Sequence, residues 1–284
     1  MKHRHLATVA AVAIAVGAMA AFSPASLAQT SEAGPGIVVS VSGSATISTK
    51  GMSPGSEIWA VWYSLPAGKG VVEPASGAKW AWFEMALGGA AVVTGTPTPM
   101  CRPVSAGGFQ AAGSERVSEA GDVEVCNYAI LPESRTENRG TQPYIFAGLA
   151  VGGPWKEGME DDIDLYLKVN GMAKVAQVRS AQFRDVEIEI LNAGAMTVGI
   201  RNVTLPPGAR IVATDRYPTL RMVASGQLSI ARGPSTAKPK VLAPYEMTEW
   251  VPGSPDEQIV LSNSTDQPVQ FVQWTVAPAQ GVNP

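Results

Sequence analysis

The stretch TLPPG at 204–208 repeats an earlier stretch, SLPAG at 64–68. Proline fixes φ near the value that a turn corner needs, and glycine adopts the positive φ that closes one, so each stretch predicts a tight turn. A longer match follows each of them in the same order, because NRGTQPYIF at 138–146 corresponds to NSTDQPVQF at 263–271. The fold is therefore expected to contain two copies of one turn-and-strand arrangement.

Two smaller matches lie between these. Gly89 in the first half corresponds to Gly226 in the second, and AGD at 120–122 corresponds to PYE at 244–246. Chance can produce one such match, whereas four in the same order are typical of a duplicated domain. The chain is therefore interpreted as two copies of one β domain.

Short segments in which apolar and polar residues alternate predict strands rather than helices. Examples are IDLYL at 163–167, VEIEI at 186–190 and FVQWTV at 271–276. Alternation at period two places one face of a strand against a core, and the 29 glycines and 22 prolines supply turns between strands. The predicted class is all-β, a sandwich or a barrel.

The order of these motifs resembles the cupin superfamily. In the second half the resemblance is carried by the LPPG turn at 205–208, a strand ending at Gly226, the VPG turn at 251–253 and the closing segment 263–278. The first half is a more divergent copy. The resemblance covers roughly residues 55–278 and implies a bicupin, with two tandem cupin-like (jelly-roll) β-barrels.

The first residues have the composition of a signal peptide. Lys2 and Arg4 precede an apolar run at 6–22, and SLA at 26–28 offers the small residues that a signal peptidase reads. We expect cleavage after Ala28 and a periplasmic or secreted protein. The bicupin resemblance then divides the remainder into a first cupin-like domain at 29–155, which contains both cysteines, and a second at 156–284.

Loss of this segment would remove both histidines of the chain, His3 and His5. Without imidazole there is no Ser-His-Asp relay and no histidine metal ligand. Metal-binding cupins carry a His-x-His pair and a Glu, and the resemblance places these on Thr214, Arg216 and Thr219 in the second half. We therefore expect a protein without a metal or other cofactor.

The charge balance limits the partners. A chain that begins at Gln29 would keep 19 basic and 24 acidic residues, a net charge of about −5. It contains no basic block, which argues against nucleic acid and anionic membranes as partners. No later apolar run approaches the length of a membrane span. The partners expected are a small-molecule ligand and a second copy of the chain, paired through sheet edges as in many bicupins.

Strand alternation predicts which side chains line the first barrel. Trp80, Trp82 and Glu84 share one face of a strand, and the correspondence of Gly89 with Gly226 turns that face inward. Two indole rings beside a carboxylate can hold a sugar or an aromatic ring by stacking and hydrogen bonding. The alternative is that the tryptophans are core residues and Glu84 lies at the rim or pairs with a base.

In the second barrel, the corresponding face carries Thr219, Arg221 and Val223. An inward arginine needs an anionic partner, because an unpaired buried charge is costly. The candidates are a ligand or a protein acid, Glu257 or Asp215; the alternative is an arginine whose head reaches solvent. Thr219, Arg221 and Glu257 are the predicted ligand-binding residues of this half.

The two cysteines of an exported chain predict one disulfide, Cys101–Cys126. Cys101 lies in a segment around 94–115 that is rich in glycine, proline and serine and has no counterpart in the second half. Tied down by the disulfide, this segment would be either a restrained lid at the barrel mouth or a cover for a sheet edge.

Three functions remain open at this point. The first is an exported, metal-free bicupin that binds a sugar or an aromatic acid in a barrel pocket without turning it over. The second is a metal-independent isomerase, epimerase or lyase, whose acid and base come from Glu84, Tyr128, Tyr144, Glu257 or a lysine. The third is a structural or assembly protein. No spacing in the sequence singles out a catalytic pair.

Overall fold

The computed structural model describes residues 29–31, 36–52, 56–75, 79–95, 101–103, 115–130, 132–152, 170–184, 194–233, 238–252 and 257–279. The predicted signal peptide at 1–28 lies outside these residues, and so do the strands predicted at 163–167 and 186–190. Nearly all regular structure that is described is strand, and the one described helix has four residues. The predicted all-β class is confirmed.

The strands of the N-terminal half are, in chain order, β1 (Gln29–Ser31), β2 (Val38–Ser48), β3 (Glu57–Leu65), β4 (Gly70–Glu73), β5 (Lys79–Gly88), β6 (Ala90–Gly95), β7 (Cys101–Pro103), β8 (Arg116–Glu119), β9 (Val123–Ile130), β10 (Ser134–Glu137) and β11 (Tyr144–Gly152). A short helix α1 (Met172–Val175) follows. The C-terminal half contains β12 (Gln177–Gln182), β13 (Ala195–Leu205), β14 (Arg210–Thr214), β15 (Thr219–Ser225), β16 (Leu228–Gly233), β17 (Lys240–Leu242), β18 (Met247–Trp250), β19 (Gln258–Ser262) and β20 (Val269–Pro278).

These strands form four antiparallel sheets, two for each barrel. The first barrel consists of a six-stranded sheet, β12-β3-β11-β5-β9-β7, and a four-stranded sheet, β4-β10-β6-β8. The second consists of two five-stranded sheets, β18-β15-β20-β13-β2 and β1-β14-β19-β16-β17. In each barrel an apolar cluster joins residues of both sheets, such as Val71 with Phe146 and Ile211 with Phe271. The prediction of two tandem barrels is confirmed.

The sheets do not follow the predicted division between 155 and 156. β1 and β2, at the start of the chain, pair with β14 and β13 of the second barrel. In the opposite direction, β12 pairs with β3 of the first barrel. The predicted boundary therefore separates the two sequence repeats, whereas each barrel takes at least one strand from the other side of it.

The internal repeat is visible in hydrogen bonds. The side-chain amide of Asn138 donates to the backbone oxygens of Leu65 and Gln142 at 2.9 and 2.8 Å. Asn263 donates in the same way to Leu205 and Gln267 at 3.0 and 2.8 Å. Both asparagines are buried, and each one fastens the LPxG turn to the loop that precedes the closing strand.

The two shorter sequence matches also have equivalent backbone conformations. Gly89 and Gly226 have φ values of 71° and 79°, and a Cβ atom on either would meet a proline carbonyl oxygen at 2.3 or 2.8 Å. Gly121 and Tyr245 both have positive φ. Glycine adopts this conformation at little cost, whereas Tyr245 accepts strain to keep the same turn.

The two barrels share a large apolar core. It lies between the six-stranded sheet of the first barrel and the five-stranded sheet that contains β20, and it includes Phe83, Met85, Met196 and Trp274. The indole nitrogen of Trp274 donates to the backbone oxygen of Gly148 across this core at 2.9 Å. Since Phe83 and Met85 fill the shared core, the alternate residues of β5 face the interior of the first barrel. No helix of the described residues has the length and apolar character that crossing a membrane requires.

Candidate binding site in the first barrel

The predicted face of β5 does point into the first barrel. Ala86 belongs to the cluster between the two sheets of this barrel, together with Val71 of β4 and Ala91 of β6. Trp80, Trp82 and Glu84 have the same parity as Ala86, so alternation places them on the inward face. The sequence therefore predicted the orientation of this strand correctly.

The two tryptophans differ in what they can reach. Trp80 is buried in a cluster with Val61, Ala150 and Met172, which agrees with the alternative interpretation as a core residue. Trp82 is only partly buried, and its indole nitrogen donates to Glu84 Oε2 at 2.7 Å. The exposed fraction of Trp82 makes it the better candidate for ligand contact.

Both indoles lie against glycines of β11. A Cβ atom at Gly152 would come within 2.5 Å of the Trp80 ring, and one at Gly148 would come within 2.7 Å of the Trp82 ring. Any other residue at these two positions would push the rings away from the sheet. The glycines therefore help to set the depth of the rings in the barrel.

Glu84 lies directly opposite Glu124 on the neighbouring strand β9. Like charges at facing positions destabilise a sheet. The guanidinium of Arg116 on β8 bonds to Glu124 Oε2 and lies 3.8 Å from Glu84 Oε1. The side chains of Arg116, Glu84 and Glu124 retain 17%, 22% and 14% of their exposure, so the group reaches solvent at one side.

A third carboxylate belongs to the same group. Glu73, the last residue of β4, accepts a hydrogen bond from the Ser134 hydroxyl at 3.2 Å. Burial, followed by the charge of Glu84, raises the pKa of Glu73 to about 7, although the hydrogen bond from Ser134 opposes the shift. Burial, followed by the charge of Glu84, also raises the pKa of Glu124 to about 7, although Arg116 opposes the shift. These two carboxyl groups can therefore gain and lose protons near neutral pH.

Two tyrosines complete the polar lining. The hydroxyl of Tyr144 lies 2.9 Å from the Ser118 hydroxyl, and burial raises the pKa of Tyr144. Burial also raises the pKa of Tyr63, whose hydroxyl is buried without a hydrogen-bond partner among the described residues. Buried hydroxyls normally have a partner, so Tyr63 has a free donor to offer.

The residues of the first barrel that sequence reasoning missed are Glu73, Arg116, Glu124 and Tyr63. Glu124 had a usable signal, because it alternates with Val123 and Val125, which both belong to the core shared by the barrels. The others gave no such signal, since each is brought to the site by a different strand.

In the second barrel, the predicted ligand-binding residues do not contact one another as a single group. Arg221 is fully buried, and its Nη2 donates to Asp215 Oδ2 at 2.5 Å. Of the two acids predicted as its partner, Asp215 is therefore correct, and the alternative of a solvent-exposed head is wrong. Glu257 instead lies 3.3 Å from Arg232. Thr219 is buried and donates to the backbone oxygen of Tyr217 at 3.0 Å.

The acid and base candidates of the isomerase, epimerase or lyase hypothesis also lie in different barrels. Glu84 and Tyr144 lie in the same barrel, close enough for the charge of Glu84 to raise the Tyr144 pKa, after burial as the main cause. Glu257 belongs to the other barrel. The side chain of Tyr128 lies outside the described residues.

The cysteines meet across two strands. Cys101 of β7 is the antiparallel partner of Cys126 on β9. Facing residues of such a pair have Cα atoms about 4.5–5.5 Å apart, a separation that a disulfide can bridge. The register is thus compatible with the predicted disulfide, which stays a prediction, and so does the lid at 94–115, most of which lies outside the described residues.

A metal centre of the cupin type has no visible basis in the described ranges. No group of three or more His, Cys, Asp and Glu side chains there is arranged to hold a metal ion. The facing carboxylates of Glu84 and Glu124 already have a cationic partner, because the guanidinium of Arg116 bonds to Glu124 and lies 3.8 Å from Glu84.

No protein-family model matches the chain, and no curated protein matches its sequence. Among solved structures, AerE from Microcystis aeruginosa is 10% identical, with 84% of this chain and 98% of that chain covered and a TM-score of 0.43. An oxalate decarboxylase from Lactobacillus farciminis, in a formate complex, is 13% identical over 83% and 81% of the chains, with a TM-score of 0.44. Pumpkin seed globulin is 7% identical over 78% of each chain, with a TM-score of 0.47.

Proposed function

We propose that this protein, which has a bicupin-like fold, binds a neutral, hydroxyl-rich small molecule of the sugar class in its first barrel. Binding requires no metal, and the protein does not convert the bound molecule into a product. The observation that carries the proposal is the facing pair Glu84 and Glu124, bridged by Arg116 beside the partly exposed ring of Trp82. Such a group lowers the stability of a barrel interior, and features of this kind are typical of functional sites.

The chemistry of the group fits hydroxyl groups well. Carboxylates accept hydrogen bonds from hydroxyls, the guanidinium of Arg116 donates them, and the hydroxyl of Tyr63 has a free donor. An indole ring can stack on the apolar face of a sugar. Each of these contacts suits a neutral ligand with several hydroxyls.

An aromatic acid fits this barrel less well. Glu73, Glu84 and Glu124 supply three carboxyls to a group with one described guanidinium, Arg116, so the group stays negative until two of the carboxyls are protonated. A ligand carboxylate would be repelled there. Of the two ligand classes predicted from the sequence, the sugar is therefore the one proposed for the first barrel.

Saturation-transfer NMR with a panel of monosaccharides tests the proposal. We expect transfer to at least one sugar in wild-type protein and its loss in Glu84→Gln, which removes the charge but keeps an acceptor for the Trp82 indole. Glu133→Gln, an exposed residue of the same barrel, is the matched control and should bind like wild type. Equal transfer in both variants, or transfer to benzoate alone, would contradict the proposal.

A metal-independent isomerase, epimerase or lyase is the second candidate. It is favoured by the pKa values of Glu73 and Glu124, which burial raises to about 7, near the value that suits a general acid or base at neutral pH. Proton exchange separates the two functions. If the protein only binds, an NMR-detected sugar ligand should keep its carbon-bound hydrogens in D₂O; deuterium incorporation that Glu124→Gln abolishes would favour the enzyme.

We further propose that the protein is exported and loses residues 1–28. In support, Lys2 and Arg4 precede the apolar run at 6–22 and the small residues SLA at 26–28. Strand β1 begins at Gln29 and pairs with Thr214, so cleavage after Ala28 would leave this strand whole. Intact-mass measurement of protein from the periplasm or medium should give a chain that begins at Gln29. A chain that still begins at Met1 would contradict the proposal.

A further inference from the structure

Two arginines of the second barrel lie in one row across three strands. Arg201 on β13 and Arg221 on β15 are both antiparallel partners of Gln273 on β20. Residues at facing positions share a face of the sheet. Phe271 lies two residues before Gln273 on β20, and its partners on the same two neighbouring strands are Val203 and Val223. All three belong to the apolar cluster inside the second barrel. The two arginines and Gln273 therefore face into this barrel.

The charges of this row do not balance among the described residues. Asp215 bonds to Arg221, and its charge also acts on Arg201. Arg221 is fully buried, with 0% exposure to solvent, and Arg201 is half-buried. Burial lowers the pKa of Arg201, and Asp215 acts in the opposite direction. Two guanidiniums thus share one described carboxylate, which leaves one positive charge in excess inside the barrel.

Arg221 also has unused hydrogen-bonding capacity. Its Nε donates to Gln273 Oε1 at 3.1 Å and its Nη2 to Asp215, while Nη1 is buried without a hydrogen-bond partner among the described residues. Buried donors on a charged group are almost always satisfied, since an unmade bond to a charge is more costly than a neutral one. Asp215 Oδ1 is likewise buried without a hydrogen-bond partner in the described part of the chain, so this carboxylate does not satisfy Nη1. A fully buried, charged donor without a partner, in one row with a second arginine, indicates a further acceptor that carries negative charge.

We propose that the second barrel binds the carboxylate group of a small molecule between Arg201 and Arg221, at a site separate from the sugar site of the first barrel. A guanidinium presents parallel N–H donors whose spacing matches the two oxygens of a carboxylate. The two arginines are separated by one intervening strand, about 10 Å between backbones, so two long side chains can reach one carboxylate from both sides. A single negative charge also balances the excess, whereas a phosphate dianion would face Asp215 with a second charge.

Titration with acetate, followed by protein NMR at constant ionic strength, tests this site, with acetamide as the neutral analogue. We expect saturable shifts with acetate and none with acetamide. Arg201→Gln, which leaves the pair of Arg221 and Asp215 intact, should weaken acetate binding about tenfold or more, as expected for one charge-assisted bond. Arg232→Gln, an exposed arginine of the same half beside Glu257, is the control and should bind acetate like wild type.

Asp215→Asn should change the affinity for acetate in the opposite direction. It removes the protein carboxylate that competes for Arg221, so acetate should bind more tightly and should raise the melting temperature of this variant more than that of wild type. The proposal is overturned if acetate and acetamide act alike, if Arg201→Gln binds acetate like wild type, or if inorganic phosphate binds and acetate does not. None of these results bears on sugar binding in the first barrel, which Glu84→Gln tests by itself.

Discussion

Glu84 and Glu124 face each other on neighbouring strands inside the first barrel, and Arg116 lies against both. A protein selected only for stability would place an apolar pair at facing inward positions, as the second barrel does with Val223 and Phe271. The facing pair of the second barrel that corresponds in the repeat is Arg221 and Thr248. Repulsion between two facing carboxylates is thus a property of the first barrel and not of the duplicated fold, which is why we assign the sugar site to the first barrel.

Glu84→Gln should stabilise the protein while it abolishes sugar binding. Removal of the charge relieves the repulsion with Glu124, and Arg116 keeps its bond to Glu124. We expect a gain of about 0.5–1 kcal/mol in the free energy of unfolding at pH 8, measured by urea denaturation. At pH 5 the gain should disappear, because Glu73 and Glu124, with pKa values raised by burial to about 7, are then protonated. A loss of stability at pH 8 would contradict this account of the pair.

The free energy of unfolding should fall as pH rises from about 4.5 to about 7. Burial raises the pKa of Glu73 and Glu124 from 4.5 to about 7, so between these values the folded state binds more protons than the unfolded state. Stability then decreases with increasing pH. A chain that begins at Gln29 has no histidine, which leaves this window free of imidazole titration.

Glu73→Gln provides the control for this pH dependence. It keeps an acceptor for the Ser134 hydroxyl but removes one of the two titrating groups, so urea unfolding between pH 5 and 8 should show a shallower slope. Glu133→Gln should keep the wild-type slope. An unchanged slope in Glu73→Gln would mean that its carboxyl does not titrate in this window.

Asn138 and Asn263 should be equally important for folding. Replacement of either by alanine removes the asparagine donor from two backbone oxygens, a buried one on Leu65 or Leu205 and a partly buried one on Gln142 or Gln267. We expect a loss of about 2–4 kcal/mol in the free energy of unfolding for each variant, measured by urea denaturation. Asp266→Ala, at an exposed position of the same loop as Asn263, should change stability little. If Asn138→Ala left the free energy of unfolding nearly unchanged, Asn138 would not stabilise the first barrel in the way that we expect of Asn263 in the second.

Reduction of the predicted disulfide Cys101–Cys126 should loosen the first barrel selectively. β7 contacts the rest of the fold as an edge strand beside β9, so release of the link acts on that edge. The loop-entropy model gives roughly 3–4 kcal/mol for a loop of this length. Hydrogen exchange with and without reductant should show faster exchange in β7 and β9 and unchanged exchange in β14 and β19. Two reactive thiols in protein from the periplasm would contradict the prediction.

Much of the fold could be predicted from local sequence. Alternation placed Trp82 and Glu84 on the inward face of β5 and Arg221 on the inward face of β15, because a strand turns successive side chains to opposite sides. Turn chemistry located the repeats, since Gly89 and Gly226 occupy backbone positions where a Cβ atom has no room. Asp215 was among the two partners offered for Arg221, but only the structure excluded Glu257.

What remained hidden depends on contacts between residues far apart in the chain. An irregularity in the pairing of β5 and β9 between Trp80 and Trp82 sets the register that brings Glu84 opposite Glu124. A shift of one residue would turn Glu124 to the other face of its strand, and no local pattern specifies that register.

The sequence by itself determined the all-β class, the duplication and the inward faces, since all three are written in the alternation and spacing of nearby residues. Only the tertiary structure decided which strands join which barrel, with β1 and β2 crossing to the second and β12 to the first. It alone also brought Glu73, Arg116 and Glu124 together with Glu84, and placed Arg201 and Arg221 on either side of Gln273. The physical reason is that sheet partners are chosen by shared burial across the whole chain, a global balance that no single segment contains.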